Sequence, residues 1–207
     1  MKRSTNAVAS FSYRARLRAI AGTAACALAL SVLPAAAQTA KPQATKAHQV
    51  FLDTKDGRVV IQLRPDLAPK HVAQIEALTK RGFYDGIVFH RVIDGFMAQT
   101  GDVQYGKAGG DLSMAGMGGS GLPDIPAEFS SVPFDRGVVG MARSQDPNSA
   151  NSQFFIMFAP APHLDGQYTA FGRVISGMDV VDAIKKGEGG SGSVSDPDVM
   201  VKVTVQP

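Results

Sequence analysis

Phe89-His90-Arg91-Val92-Ile93-Asp94-Gly95-Phe96-Met97-Ala98-Gln99-Thr100-Gly101-Asp102 is the stretch on which the reading of this chain turns. It sets large apolar side chains beside one arginine and one glutamine at strand spacing. Period-2 spacing sends neighbouring side chains to opposite faces of a strand. Phe89, Arg91 and Ile93 are therefore expected on one face with His90 and Val92 on the other. Phe96 and Ala98 are expected to oppose Met97 and Gln99, with Asp94-Gly95 resetting the register. A fixed cation ends up beside an apolar surface, which an ordinary sheet has no use for.

Outward from that stretch, the pattern is one of short strands and tight turns. Val50 and Leu52 are separated from Val60 and Gln62 by Asp56-Gly57, a two-residue hairpin signal. Pro69 can open a helix whose apolar stripe is Val72, Ile75, Ala77 and Leu78 and which stops near Gly82. Strands are expected at 87–93, 96–100, 137–142, 153–158, 169–175 and 199–205, and a second helix over 180–186. Seven or eight short strands with two short helices describe an all-β sandwich or barrel, not an alternating β-α-β sheet. The glycine-rich stretch 106–121 has too little apolar content for core and reads as surface loop. Without a Gly-Lys-Ser/Thr ending or a following helix it does not read as a phosphate cradle. Met114 and Met117 within it read as loop surface, with substrate contact as the alternative.

The first 37 residues carry Lys2, Arg3, Arg14, Arg16 and Arg18 and no acidic residue, then an apolar run from Ala19 to Leu33, then Pro34-Ala35-Ala36-Ala37. This is the layout of a secretory signal, with cleavage expected between Ala37 and Gln38. An uncleaved membrane anchor is the alternative, because 19–37 approaches a spanning length. A lipid anchor at Cys26 fits poorly, since the apolar run follows the cysteine. Residues 38–47 read as a flexible leader, and 48–207 as the folded domain. The chain has 21 Lys+Arg against 18 Asp+Glu, a net +3; without the five cations of the signal, 16 remain against 18, a net −2. The basicity belongs to the export signal, so no nucleic-acid surface is expected. The single cysteine leaves with it, which suits an oxidising compartment.

Three motifs, at Phe89–Asp102, Met141–Ile156 and Leu164-Asp165-Gly166 leading to Phe171-Gly172, together resemble the cyclophilin family of peptidyl-prolyl cis-trans isomerases. The resemblance covers about 48–206. It implies a mainly β fold: a closed eight-stranded antiparallel barrel capped by two short helices. It implies a catalytic group of Arg91, Phe96 and Gln99. It implies a peptide-binding set of His90, Met97, Ala142, Arg143, Gln153, Phe155, His163, Leu164 and Tyr168. His163 stands where many eukaryotic members have a tryptophan that helps bind the inhibitor cyclosporin, and Tyr168 where they have a histidine, so sensitivity to that inhibitor is not expected. Phe154 and Phe155 are adjacent, so one should face the core and the other the groove; the resemblance assigns Phe155 to the groove.

The expected activity is rotation of Xaa-Pro bonds in proteins folding outside the cytoplasm, most naturally in a periplasm. The substrates are proline-containing peptide segments, acted on by a monomer without cofactor, metal or lasting membrane attachment. A noncatalytic proline-peptide-binding chaperone module is the alternative. His48, His71 and His163 lack metal-ligand spacing, and no Ser/His/Asp or Cys/His arrangement sits at a recognisable hydrolase motif.

Overall fold

The computed structural model describes residues 48–206; the expected signal, leader and Cys26 lie outside them. The chain forms β1 Gln49–Thr54, β2 Gly57–Leu63, helix α1 Pro69–Lys80, β3 Ile87–Val88, β4 Arg91–Ile93, β5 Met97–Thr100, β6 Val138–Met141 and β7 Phe154–Met157. A 3-10 turn Pro162–Leu164, β8 Ala170–Ser176, helix α2 Met178–Ala183, β9 Val199–Met200 and β10 Lys202–Gln206 complete it. The hairpin turn sits one residue earlier than expected: Thr54 pairs with Gly57 and the loop is Lys55-Asp56.

Eight strands make one antiparallel sheet in the order β10-β1-β2-β8-β6-β7-β5-β4. Its end strands, β10 and β4, do not pair with each other, so the sheet is a curled, open half-barrel and not the closed barrel expected. The reason lies in what occupies the edge of β4. β3 and β9 pair with each other as a separate two-stranded sheet. The free edge of β4 is covered instead by the segment around 187–198. Val92 N donates to Gly192 O (2.7 Å), Gly187 N to Val92 O (2.9 Å) and Phe89 N to Asp198 O (2.9 Å), which protects the edge from pairing elsewhere.

The same break corrects the expected alternation of side chains. The strand expected over 87–93 is interrupted at Phe89-His90, and the phase changes across it. Phe89 and Val92, both fully buried, share the enclosed core with Ala98, Val139, Phe154 and Ile156. Arg91 and Ile93 look the other way. Phe96 precedes β5 and joins Met97's side, not Ala98's. The strand expected over 199–205 is likewise split, at exposed Val201.

Helix α1 begins at its proline as expected but buries His71, Val72, Ile75, Leu78 and Thr79, with Ala77 exposed. No local side chain caps it. Glu128, from the 120s segment, accepts the N–H groups of Lys70 and His71 at 3.1–3.2 Å and meets His71 Nδ1 at 2.7 Å. A carboxylate there satisfies orphan donors and complements the helix dipole. Each large apolar side chain buried in this core contributes about 1.5–3 kcal/mol, so the half-barrel is a stiff support for whatever its other face carries.

Candidate active site

The face of β4-β5-β7-β6 turned away from the enclosed core carries a second apolar cluster: Met97, Phe134, Val138, Phe155, Met157, Ala161, Leu164 and Ala170, with Ile93, Phe96, Ala142 and Tyr168 packed at its margin. Strand register builds it. Ile93 lies opposite Met97 and Met97 opposite Met157; one step along, Arg91 lies opposite Gln99 and Gln99 opposite Phe155. An apolar row and a row running from cation through amide to aromatic ring therefore lie side by side, at the spacing of neighbouring strands.

Arg91 is half-buried and fixed from two sides. Its Nε donates to the backbone carbonyl of Ser191 (3.0 Å), and its Nη1 reaches Gln99 Oε1 (3.4 Å) and the Met97 sulfur (4.0 Å). Gln99 Nε2 donates to Gln153 Oε1 (3.0 Å), and Gln153 Nε2 donates to the carbonyls of Gly116 (2.9 Å) and Gly118 (2.8 Å). The sense of this relay is forced. Turning either amide over would set oxygen against oxygen or leave the guanidinium facing an NH₂ group.

Around the apolar patch, Phe96 stacks on His163 (5.7 Å between centroids), Phe155 on Phe134 (5.8 Å), and Tyr168 stands edge-on to Phe155 (5.9 Å). The Arg143 guanidinium lies over the Tyr168 ring at 4.4 Å. It is held by the carbonyls of Ser144, Gln145 and Gln167, so it serves as a wall and not as a free cation. Beside the patch lies a recess of about 300 Å³, lined by Gln99, Gly116–Gly118, Ala142–Ser144, Ser149, Asn151 and Gln153.

Eleven of the twelve residues expected from sequence thus come together around Arg91. The twelfth, His90, is set back. Its ring is buried and makes no hydrogen bond among the described residues. Burial holds it below the ordinary histidine pKa, with the nearby Asp102 charge opposing in part, so it is neutral at neutral pH. Sequence reasoning missed the loop backbone at Gly116 and Gly118. It also missed Asn151, whose Oδ1 accepts from Ser120 N (2.8 Å) and Oγ (2.6 Å) while its Nδ2 donates to Leu122 O (2.9 Å) and Asp124 Oδ1 (2.8 Å).

An arginine held beside an apolar patch on a curled antiparallel sheet is the site the sequence resemblance implies for a prolyl isomerase, although the sheet is open where a closed barrel was expected, and independent comparisons agree on the family. A family profile described as cyclophilin type peptidyl-prolyl cis-trans isomerase/CLD matches residues 49–205. A probable peptidyl-prolyl cis-trans isomerase of Brucella suis is 59% identical over 186 residues, covering 88% of this chain and 93% of the relative. The peptidyl-prolyl cis-trans isomerase ppi1 of Schizosaccharomyces pombe is 39% identical over 137 residues, covering 63% of this chain and 81% of that one. Among solved structures, a cyclophilin of Cryptosporidium parvum crystallised in the presence of the dipeptide Ala-Pro has a TM-score of 0.66 at 27% identity, covering 77% of this chain and 99% of that one. Cyclophilin AquaCyp293 of Hirschia baltica has a TM-score of 0.66 at 29% identity, covering 77% and 74%. The chain belongs to the cyclophilin-type peptidyl-prolyl cis-trans isomerases, enzymes that interconvert the cis and trans forms of bonds preceding proline.

Proposed function

We propose that this isomerase acts on Xaa-Pro bonds of proteins folding outside the cytoplasm, with Arg91, Phe96 and Gln99 as the catalytic group and the mature chain running from about Gln38. The observation that carries the reading is the Arg91 guanidinium, held by Ser191 O and Gln99 Oε1 at the edge of the Met97–Phe155–Leu164 patch.

Rotation about a peptide bond breaks amide resonance against a barrier of ~18–20 kcal/mol, so uncatalysed prolyl isomerisation takes tens to hundreds of seconds. No nucleophile is needed. When the bond is twisted, the prolyl nitrogen loses conjugation and regains a lone pair. A cationic donor aimed at that nitrogen then favours the twisted form over either planar one. A guanidinium is a permanent cation with donors to spare. The Nη2 of Arg91 has no partner among the described residues and is the donor left for substrate. Phe96, Met97, Phe155 and Leu164 grip the pyrrolidine ring and exclude water, while Ala142, Gln153 and the backbone at Arg143 guide the chain before it. With the ring gripped, the carbonyl preceding proline is the part that swings.

Arg91→Ala is expected to lower turnover of an Ala-Pro peptide at least ~tenfold, with the circular-dichroism spectrum and melting temperature preserved; unchanged turnover would sink the assignment. Export is tested by fractionating cells and sequencing the N-terminus. A chain starting near Gln38 in the envelope or medium supports it, and a full-length cytoplasmic chain overturns it. Sedimentation of that mature form, expected monomeric and free of membranes, tests the remaining part.

A further inference from the structure

We propose that Asp102 is a positioning residue for the isomerase reaction, orienting Arg91 from a distance through the glycine-rich loop. The inference rests on Arg91 being the catalytic cation.

The Asp102 side chain is fully buried and has no ion-pair partner among the described residues. Four backbone N–H groups surround it instead. Oδ1 accepts from Gln104 (3.0 Å) and Tyr105 (2.9 Å), and Oδ2 accepts from Gly116 (2.7 Å) and Gly118 (2.9 Å). The first pair is an ordinary turn at the start of the loop. The second pair comes from 14 and 16 residues further on, so one carboxylate fastens both ends of the loop and offsets the entropy of closing it. Charge-assisted bonds of this kind are the strong ones.

The two residues fastened by Oδ2 are the same two whose carbonyls receive Gln153 Nε2. Each glycine is thus gripped by its N–H on the Asp102 side and used by its C=O on the Gln153 side. If the loop moved, both acceptors of Gln153 would move together, its amide would lose its fixed sense, and Gln99 would no longer be required to turn its oxygen to Arg91. A carboxylate needed only for local folding would bind the Gln104 and Tyr105 pair; the second pair is what connects it to chemistry. Asn151 holds the loop further along, at Ser120, and leaves 116–118 to Asp102.

The test is Asp102→Asn in the full chain. Asparagine keeps the size and one acceptor, but its NH₂ group must face one of the two donor pairs. Isomerisation of a saturating Ala-Pro peptide, read by NMR exchange, should fall about fivefold to tenfold. Affinity for the same short peptide should change little, because the ring-gripping side chains are untouched. The side-chain amide signals of Gln99 and Gln153 and the Nε–H signal of Arg91 should shift or broaden. Combined with Gln153→Ala, the double variant should be no slower than Gln153→Ala alone, because both changes cut one relay.

Gly118→Ala opens the same joint with the charge left in place, since the added methyl would press on the Asp102 carboxylate and come within 2.7 Å of Gln104 Cβ. It should move the same signals in the same direction, and it carries the test if Asp102→Asn does not fold. Unmoved Gln99 and Arg91 signals, or losses that multiply in the double variant, overturn the proposal. An Arg91→Ala enzyme of normal speed would instead remove the reading on which it rests.

Discussion

Two glycine-rich loops reach Arg91 by opposite means. The 187–193 loop behaves as a missing edge strand: Gly187 N and Gly192 O bracket Val92, Glu188 N closes on Ser193 O (3.0 Å), and the Ser191 carbonyl takes Arg91 Nε directly. No side chain of the loop takes part in those contacts. Beyond a short bridge to β3 at its start, where Val88 N donates to Gly106 O (2.8 Å) and Ala108 N to Gly86 O (2.9 Å), the 106–121 loop has no strand to lean on. It is held by side chains outside it, Asp102, Gln104 and Asn151, and reaches the guanidinium only through two glutamines. Similar composition therefore supports a rigid backbone contact in one place and an adjustable relay in the other. Glycine's contribution to both is that bare backbone N–H and C=O groups become the working atoms.

The sharpest way to break the contrast is to thicken the backbone of the edge-like loop. Gly192 has φ +71°, and a methyl there would overlap the Ile93 side chain and stand 3.0 Å from the Val92 carbonyl. The carbonyl, part of the β4 backbone, cannot yield without moving the strand. Gly192→Ala should therefore cost about 2–4 kcal/mol of stability and take most of the activity with it, because Ser191 leaves Arg91. Urea unfolding with a turnover assay measures both. A stable, active variant would mean that this loop is as adjustable as the other.

Acidification should act the other way, loosening the 106–121 loop before the 187–193 loop. His90 lies against Gly116, where an added Cβ would stand 3.1–3.2 Å from its ring, and burial depresses its pKa. A histidine whose folded pKa lies below its unfolded value of about 6.5 gives its full stability above that pH. It loses it as pH falls from there toward the folded value, because the unfolded chain takes up a proton that the folded one resists. Buried His71 is depressed for the same reason, partly countered by Glu128, and adds to the decline in the same window. Glu128 itself is lowered, burial being outweighed by its bonds to His71 and Lys70, so its loss comes only at lower pH. Between pH 7 and 5 the melting temperature should fall, and amide exchange should quicken at 116–118 more than at 187–193. Equal quickening in both would place the effect in the global fold, and His90→Asn should reduce the decline.

What was legible in the sequence follows from local periodicity. Phe154 enters the enclosed core and Phe155 the outer face, as neighbours on a strand must, and Pro69 opens its helix. What escaped it depends on partners far along the chain. A two-residue interruption at Phe89-His90 turned Phe89 to the opposite face from Arg91. The sheet stays open because the 187–193 backbone, and not β10, takes the outer edge of β4, an event that no side-chain pattern announces. Half of Asp102's role, the turn to Gln104 and Tyr105, lies within a few residues. The half that matters for the relay comes from Gly116 and Gly118 and exists only once the loop has folded back. The cluster around Arg91 was legible through family motifs, not through physics read from one strand.

The smallest expected effect sharpens the contrast by separating what holds the 106–121 loop from what merely decorates it. Met114 is 49% exposed and lies outside the lining of the recess. Its side chain makes none of the bonds that fasten the loop, although its carbonyl accepts from Met117 N (3.0 Å), a contact any residue can supply. Met114→Ser should leave stability within about 0.5 kcal/mol and turnover of the Ala-Pro peptide within twofold. A large loss would show that the loop's outer surface, and not only its buried fastenings, orders the relay to Arg91.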